Sequence, residues 1–238
     1  MSQLEGFARY ALYWAPPAGS GLEDFGAAWL GRDAAGRPSA RMAVELPLPL
    51  PQITAKAARY GFHATLKAPF RLAEGRRAGD LDRALVETAA TTAPAEGPAL
   101  VPVLFGGFVA LRPKGPCPFI DTLVLDLVER LDGWRAPLDE AELRRRRAPG
   151  LTPLQEEALQ RYGYPYAGAA FGFHVTLSGR LSPEHGASVV AGVRPLVMPH
   201  LPARFRLDEI ALFGDPGQGR PFRLLKRYPL RGQEETPP

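Results

Sequence analysis

The chain has 238 residues, of which 45% are hydrophobic and 23% are charged, a balance typical of a folded globular protein. One cysteine, Cys117, excludes an internal disulfide and a cysteine-based zinc site. The chain has no long apolar run, and residues 1–10 lack the apolar stretch of a signal peptide. We therefore expect a cytoplasmic protein that makes no use of a membrane.

The net charge is +4, and basic balance can indicate nucleic-acid binding. Nearly all the basic residues are arginines, however, and the chain is also rich in alanine, glycine and proline, as a GC-rich coding sequence would produce. A nucleic-acid partner is therefore possible but not favoured. The charge also suits a small anionic substrate.

The first half of the chain alternates strand and helix signals. Apolar and aromatic residues predict a strand over 8–15, and helical spacing predicts a helix over 22–30 that ends at Gly31. Residues 32–51 contain four prolines and are expected to form an irregular connection. The patterns that follow predict a strand over 60–66, a helix over 80–93, and strands over 100–105 and 108–111.

The second half begins with helical patterns over 119–131 and 137–147. Thr152-Pro153-Leu154-Gln155 combines an N-cap, a first-turn proline and a capping-box glutamine, which predicts a helix from there to about Gly163. The remaining patterns predict a strand over 170–178, a helix from Ser182, strands near 205–213 and 221–228, and a flexible tail over 233–238.

One six-residue motif occurs twice. The copies are Gly61-Phe62-His63-Ala64-Thr65-Leu66 and Gly172-Phe173-His174-Val175-Thr176-Leu177, identical at five of six positions. Because alternate side chains of a strand share a face, the Phe and Leu of each copy should face a core, and the His and Thr should face a cleft. A duplicated core has no need to repeat His and Thr on its other face, so we interpret the pair as functional.

The duplicated histidines suit the hydrolysis of a cyclic phosphodiester. One neutral imidazole can take a proton from water while the other, protonated, supplies a proton to the leaving alkoxide. The hydroxyls of Thr65 and Thr176 can donate to the non-bridging phosphate oxygens. This chemistry requires neither a metal nor a cofactor. Which histidine is the base stays open.

The order of elements after each motif, a helix and then two strands, indicates an internal duplication. We therefore predict a single catalytic domain over 1–232 with two lobe halves, roughly 1–113 and 170–232, and a helical insertion over 114–169.

Five further residues are candidates for substrate binding. Lys67 and Ser178 share the strand faces of the two histidines, Arg135 and Tyr164 precede the second motif, and Arg145 lies in an arginine-rich helix. Each also has a structural alternative, such as a solvated helix face or packing beneath a loop. His185 and His200 do not repeat and are interpreted as structural or surface residues.

The paired His-x-Thr motifs resemble the 2H phosphoesterase superfamily. Longer stretches resemble one bacterial branch, DUF1045, also called the putative phosphonate metabolism protein family. These stretches are residues 9–13, 29–33, 59–70, 135–138, 163–166 and 173–177, which together span most of the chain. The resemblance implies an α+β bilobal fold of two pseudo-symmetric antiparallel-sheet lobes, with outer helices and a central cleft. It also implies that His63 and His174 are catalytic and that Thr65 and Thr176 bind phosphate.

The resemblance further implies a link to phosphonate catabolism, with phosphoribosyl 1,2-cyclic phosphate as a plausible substrate. Some 2H enzymes carry a tyrosine five residues after the second histidine, where this chain has Gly179. Two alternatives remain open. One is a phosphodiesterase acting on 2′,3′-cyclic or 2′-5′ RNA ends, and the other is a non-catalytic protein that binds a nucleotide or sugar phosphate.

Overall fold

The protein is described by a computed structural model that covers residues 4–233. Within this range the chain forms nine strands and seven α-helices. In chain order they are β1 (Arg9–Trp14), α1 (Gly21–Leu30), α2 (Leu50–Tyr60), β2 (Ala64–Phe70), α3 (Ala78–Thr91), β3 (Ala95–Pro98), β4 (Leu100–Phe105), β5 (Phe108–Pro113), α4 (Pro118–Arg130), α5 (Glu140–Arg147), α6 (Pro153–Tyr162), β6 (Val175–Arg180), α7 (Pro183–Val197), β7 (Arg204–Leu207), β8 (Glu209–Asp215) and β9 (Arg223–Pro229).

Seven of these strands form one antiparallel sheet in the order β4-β5-β6-β2-β1-β8-β9, and β3 pairs with β7 in a second sheet. The predicted α+β fold with antiparallel sheets and outer helices is therefore confirmed. The two motif-bearing strands, β2 and β6, lie next to each other in the middle of the large sheet.

The sheet repeats one pattern. Strand β2 is followed by α3, β3, β4 and β5, and strand β6 is followed by α7, β7, β8 and β9. Equivalent strands of the two repeats pair with each other, β2 with β6 and β3 with β7. The last two strands of each repeat form a hairpin, β4–β5 in the first and β8–β9 in the second, and each hairpin lies next to the other repeat. Strand β5 pairs with β6 of the second repeat, and strand β8 pairs with β1, which lies beside β2 of the first. This arrangement is what a duplicated unit would produce, and the exact division into halves and insertion stays a prediction.

The main core lies on one face of the large sheet, where Leu12, Ala64, Leu66, Val175 and Leu177 pack with the buried sides of the helices. The opposite face carries the motif histidines. Its β1–β8 side is closed by a smaller buried cluster of Ala11, Tyr13, Ala15, Ala211, Phe213 and Phe222. The histidine face is therefore only partly covered.

Helix α2 is the main departure from expectation. The prolines predicted an irregular connection over residues 32–51, and the predicted strand began at residue 60, but a helix occupies Leu50–Tyr60. Pro49 instead precedes the helix and Pro51 lies in its first turn, where a missing N–H costs no hydrogen bond. The helix ends at Tyr60, and Gly61 then reverses the chain with a φ of 93°. The motif strand consequently begins at Ala64.

Other boundaries also shift. Strand β6 starts at Val175 after a short 3-10 turn over Gly168–Ala170, helix α5 starts at Glu140, and the predicted 205–213 strand is divided into β7 and β8. Strand β3 was not predicted. Between residues 4 and 233, none of the helices combines the length and apolar character needed to cross a bilayer. The predicted tail lies outside the described residues from 234 onward.

Candidate active site

The pairing of the two motif strands sets the geometry of the site. Ala64 lies opposite Val175, and these residues occupy the same position in the two copies of the motif. Continuing this antiparallel register by one residue places His63 opposite Thr176 and Thr65 opposite His174. All four would then share one face, and in such a register the Cβ atoms of a diagonal pair lie about 7–8 Å apart or somewhat less. A phosphate can fit between two imidazoles at this spacing.

His63 is half-buried in a polar and aromatic surrounding. Its Nδ1 donates to the Gly61 carbonyl at 2.9 Å, so the neutral ring carries its proton on Nδ1 and leaves Nε2 as an acceptor. The Thr65 hydroxyl lies 3.2 Å from that Nε2. The Tyr13 ring stacks on the imidazole with centroids 3.7 Å apart.

His174 repeats this arrangement on the other strand. Its Nδ1 donates to the Gly172 carbonyl at 2.7 Å, which again directs an unprotonated Nε2 away from the backbone. The Phe105 and Phe108 rings flank its imidazole, each with a centroid distance of 5.9 Å. Both histidines therefore present the same nitrogen to the shared face.

Burial sets the charge state of the two imidazoles. The pKa of His63 is lowered to about 4, chiefly by desolvation. The hydrogen bond to Gly61 opposes this shift, whereas the charge of Arg32 and any proton on His174 add to it. Desolvation also lowers the pKa of His174, with a contribution from Arg112. Both rings are thus neutral at pH 7 in the unliganded protein. An anion bound between them would favour protonation of one ring.

An open cavity of about 580 Å³, its mouth included, adjoins this face. Thr65 contributes to its wall, together with residues of β2, α4, α5 and the segment around Tyr164. Of the four motif side chains, Thr65 is the one that borders this cavity.

Lys67 and Arg135, both predicted to bind substrate, line this cavity but are already engaged. The Lys67 ammonium lies 3.1 Å from the Val128 carbonyl and 3.1 Å from an Asp132 carboxylate oxygen, and Arg135 makes two contacts of 3.1 and 3.0 Å with the same carboxylate. Lys67 is 4% exposed. The Asp132 carboxylate therefore offsets part of the positive charge of the two residues that were predicted to bind substrate.

Tyr164 also lines the cavity, whereas Arg145 is exposed and lies outside its wall. Arg146 occupies the wall instead, with its guanidinium 5.6 Å from the centroid of the Tyr164 ring. Successive helical residues point about 100° apart, so only part of an arginine run can face the cavity. Burial raises the pKa of Tyr164 to about 12, although the Arg146 charge opposes the rise.

Ser178, the remaining predicted contact, is 2% exposed. Its hydroxyl accepts from the Val109 N–H at 2.8 Å and donates to the Gly179 carbonyl at 2.8 Å. The side chain therefore bridges β5 and β6. These two hydrogen bonds indicate a structural role for Ser178 in the sheet beside the site.

Two neighbours of the histidines were missed by sequence reasoning. Tyr13 lies opposite Thr65 on β1, and Arg112 follows Leu111, which lies opposite Val175 on β5. Both reach the histidine face through pairing of distant strands. A sequence signal existed for Tyr13, in the stretch 9–13 that resembles the family, but nothing in the sequence singled out Arg112.

Among residues 4–233, no group of three or more His, Cys, Asp or Glu side chains is arranged to hold a metal ion. The site as described thus consists of two imidazoles, two threonine hydroxyls, and the surrounding tyrosines and arginines.

Solved structures similar to this chain align over nearly its whole length, at low identity and with TM-scores below 0.5. Protein TT0787 of Thermus thermophilus is 18% identical, covers 95% of this chain and 100% of its own, and has a TM-score of 0.46. E. coli LigT in complex with 3′-AMP is 14% identical over 94% of this chain and 98% of its own, with a TM-score of 0.40.

Two curated relatives are both named ribose 1,5-bisphosphate phosphokinase PhnN. The protein of Janthinobacterium sp. (strain Marseille) is 38% identical over 97% of this chain and 52% of its own length. That of Laribacter hongkongensis (strain HLHK9) is 36% identical over 92% of this chain and 51% of its own length. This chain spans about half the length of these relatives.

One family model, described as a protein of unknown function (DUF1045), matches residues 65–223, well over half of the chain. The matched range contains Thr65, His174 and Thr176, together with the cavity wall. The resemblance of the longer sequence stretches to DUF1045 is thereby confirmed, and the chain belongs to the DUF1045 family.

Proposed function

We propose that this protein is a metal-independent cyclic phosphodiesterase that uses His63 and His174 as its acid–base pair. The observation that carries the proposal is the Ala64–Val175 pairing, since it brings two copies of one His-x-Thr motif onto one face. Both Nδ1 atoms donate to backbone carbonyls, which fixes both Nε2 atoms as the reactive nitrogens.

In the proposed reaction, a cyclic phosphodiester binds between the two imidazoles, and its negative charge favours protonation of one of them. The neutral Nε2 takes a proton from water, whose oxygen forms the new bond to phosphorus. The phosphorus–alkoxide bond of the ring then breaks, and the protonated Nε2 of the other histidine gives its proton to the leaving oxygen. The product is a phosphate monoester with a free neighbouring hydroxyl, and proton exchange with solvent restores both rings.

The threonines serve the same step. Thr65 and Thr176 lie diagonally across from each other on this face, so their hydroxyls can donate to non-bridging oxygens as charge builds up there. In the unliganded protein the Thr65 hydroxyl is within reach of His63 Nε2. A bound phosphate oxygen would replace that partner and free the nitrogen for catalysis.

For the substrate, we propose a cyclic phosphate of a phosphorylated pentose, with phosphoribosyl 1,2-cyclic phosphate as the specific candidate. Arg146 and Tyr164 line the cavity that Thr65 borders, and both offer donors to sugar and phosphate oxygens. The curated relatives are named for an activity on ribose 1,5-bisphosphate, another phosphorylated pentose, which supports this choice.

The test is turnover, in the presence of EDTA, of phosphoribosyl 1,2-cyclic phosphate and of 2′,3′-cyclic nucleotides. His63→Gln and His174→Gln should each reduce kcat by about 10²–10⁴-fold, because each removes one proton-transfer group. His185→Gln, a histidine substitution in the first turn of α7, is the matched control and should retain wild-type turnover.

Preferential opening of the pentose cyclic phosphate would support the full proposal, and preference for 2′,3′-cyclic nucleotides would support the RNA-end alternative instead. Activity that survives both motif substitutions would contradict the mechanism. Activity abolished by EDTA and restored by a divalent metal would contradict metal independence.

A further inference from the structure

Four side chains from four neighbouring strands form one row across the histidine face. Leu111 pairs with Val175, so Arg112 lies opposite His174 by continuation of the register. Continuing the Ala64–Val175 pair by one residue likewise brings His174 opposite Thr65, and Thr65 pairs with Tyr13. Neighbouring strands are about 4.8 Å apart, which places the backbone of Arg112 one strand spacing from that of His174.

The guanidinium of Arg112 stays close to this row. Its Cζ lies 4.0 Å from the centroid of the Phe105 ring, and that same ring flanks His174. Its Nη2 lies 3.5 Å from the position that a Cβ on Gly172 would occupy, and Gly172 carries the carbonyl that binds His174 Nδ1. Both contacts place the charge of Arg112 next to His174.

Within the described residues, Arg112 combines a missing ion pair with a buried nitrogen that has no hydrogen-bond partner. Arg32 and Arg146 also lack an ion pair, and the Nε of Arg59 is also buried without a partner, but none of these three shows both features.

The buried nitrogen of Arg112 is its Nε, and within residues 4–233 no carboxylate lies within ion-pair distance of this side chain. By comparison, Arg9 pairs with Asp215 and Arg135 pairs with Asp132. A buried donor without a partner is costly, and more so when it is charged, so such a group beside a site is a candidate for a partner that a ligand supplies.

We propose that Arg112 binds the substrate's phosphate beside His174, as a third phosphate contact in addition to Thr65 and Thr176. A planar guanidinium can donate two parallel hydrogen bonds to phosphate oxygens, which a threonine hydroxyl cannot. Stacking on Phe105 keeps the group flat and fixed, so little entropy is lost when the anion binds.

Arg112 has a counterpart beside the first motif, since a Cβ on Gly61 would lie 3.0 Å from Arg32 Nη2. The two arginines differ in their hydrogen bonds. Arg32 already donates to three backbone carbonyls, whereas the Nε of Arg112 has no partner. A phosphate held at Arg112 would therefore lie nearer His174 than His63. The part of the inference that concerns the reacting phosphate rests on the proposed phosphodiesterase function.

The test measures binding of inorganic phosphate to the whole protein by calorimetry, with thermal unfolding as a check that each variant folds. Arg112→Met, which keeps the chain length and removes the charge, should bind phosphate about 10- to 100-fold more weakly than wild type. Arg112→Lys should fall between the two because it restores a single point charge. Arg83→Met, at an exposed arginine of α3 paired with Asp80, is the control and should bind as wild type.

Equal phosphate affinity in wild type and folded Arg112→Met would overturn the inference, as would a wild-type protein that binds no phosphate. Weakened binding in Arg146→Met together with unchanged binding in Arg112→Met would also overturn it, because the anion would then lie in the cavity. The two proposals can fail separately. Turnover that is unaffected by Arg112→Met contradicts only the role of Arg112, and Arg112-dependent phosphate binding without turnover of any cyclic ester contradicts only the phosphodiesterase function.

Discussion

His63 makes the stability of the protein depend on pH. Its pKa is lowered to about 4 in the folded state, chiefly by burial, whereas an unfolded histidine titrates near 6.5. Between these two pH values the unfolded chain binds more protons than the folded chain, so acidification favours unfolding. His63 should therefore contribute a loss of about 1–3 kcal/mol as the pH falls from 6.5 to 4.

Urea unfolding at a series of pH values measures this contribution. His63→Gln cannot take up the proton, so its free energy of unfolding should fall less steeply between pH 6.5 and 4 than that of the wild type. His174 adds a slope of the same sign in both proteins, and His185→Gln serves as the control with the wild-type slope. Parallel curves for wild type and His63→Gln would show that the imidazole is not desolvated as the structure indicates.

At this scale the sequence was informative wherever a chemical pattern repeats within a few residues. The two His-x-Thr units could be found, and their alternation correctly placed Phe and Leu in the core and His and Thr on the other face. Lys67 and Arg112 could not be judged in the same way. Lys67 is paired because Asp132 reaches it, and Arg112 lies beside His174 because β5 pairs with β6. In both cases the partner is far away in the sequence.

Among the elements, the turn between α2 and β2 determines where His63 is held. Gly61 adopts φ 93° and ψ 176°, a region open essentially to glycine alone, and its carbonyl binds the His63 ring. A Cβ there would also lie 3.0 Å from Arg32 Nη2. Gly172 holds His174 through the same carbonyl contact, but it has an ordinary backbone, and a Cβ there would meet Arg112 Nη2 at 3.5 Å.

The two glycines should therefore respond differently to the same substitution. Gly61→Ala is expected to lower the free energy of unfolding by about 1–3 kcal/mol, because alanine strains the backbone. Gly172→Ala should be neutral or should stabilise by less than about 1 kcal/mol, through a restricted unfolded chain. Urea midpoints of the two variants provide the comparison. Equal losses would mean that the motif glycines are kept for a reason other than backbone conformation.

Element boundaries near these turns show a limit of local patterns. Helix α2 was missed because prolines were read as breakers, although the first turn of a helix accepts proline. The strand starts were placed a few residues early, at 60 and 170 instead of Ala64 and Val175, because the aromatic residues before them also have high strand preference. Strand β3 has four residues and no β-branched or aromatic side chain, and it exists as a strand because β7 pairs with it.

For the whole molecule, the repeated order of elements after the two motifs could be predicted from the sequence, but the exchange of hairpins between the two repeats could not. Strands β4 and β5 of the first repeat lie beside β6 of the second, a pairing decided by packing between distant segments. The helices between the repeats are connected to this sheet by Lys67. Its ammonium leaves β2 to reach the last turn of α4 at Val128 and the following turn at Asp132.

This connection should make Asp132 important for stability as well as for the shape of the cavity. Asp132→Asn leaves the Lys67 charge buried with a carbonyl as its remaining contact, and we expect a loss of about 3 kcal/mol. Lys67→Met combined with Asp132→Asn should recover much of that loss, with a coupling energy of at least about 1 kcal/mol in a double-mutant cycle. Asp80→Asn, at the exposed pair with Arg83, should cost less than about 1 kcal/mol and is the control.

Chemical unfolding of the four members of the cycle gives the coupling energy directly. If Asp132→Asn costs no more than Asp80→Asn, the Lys67 ammonium must reach water in solution, and its charge would then be available to a ligand. If the coupling is large, Lys67 is committed to the connection between β2 and α4. Arg146 and Tyr164 would then be the cavity residues left to bind the sugar part of a substrate, because Arg135 is held by the same carboxylate.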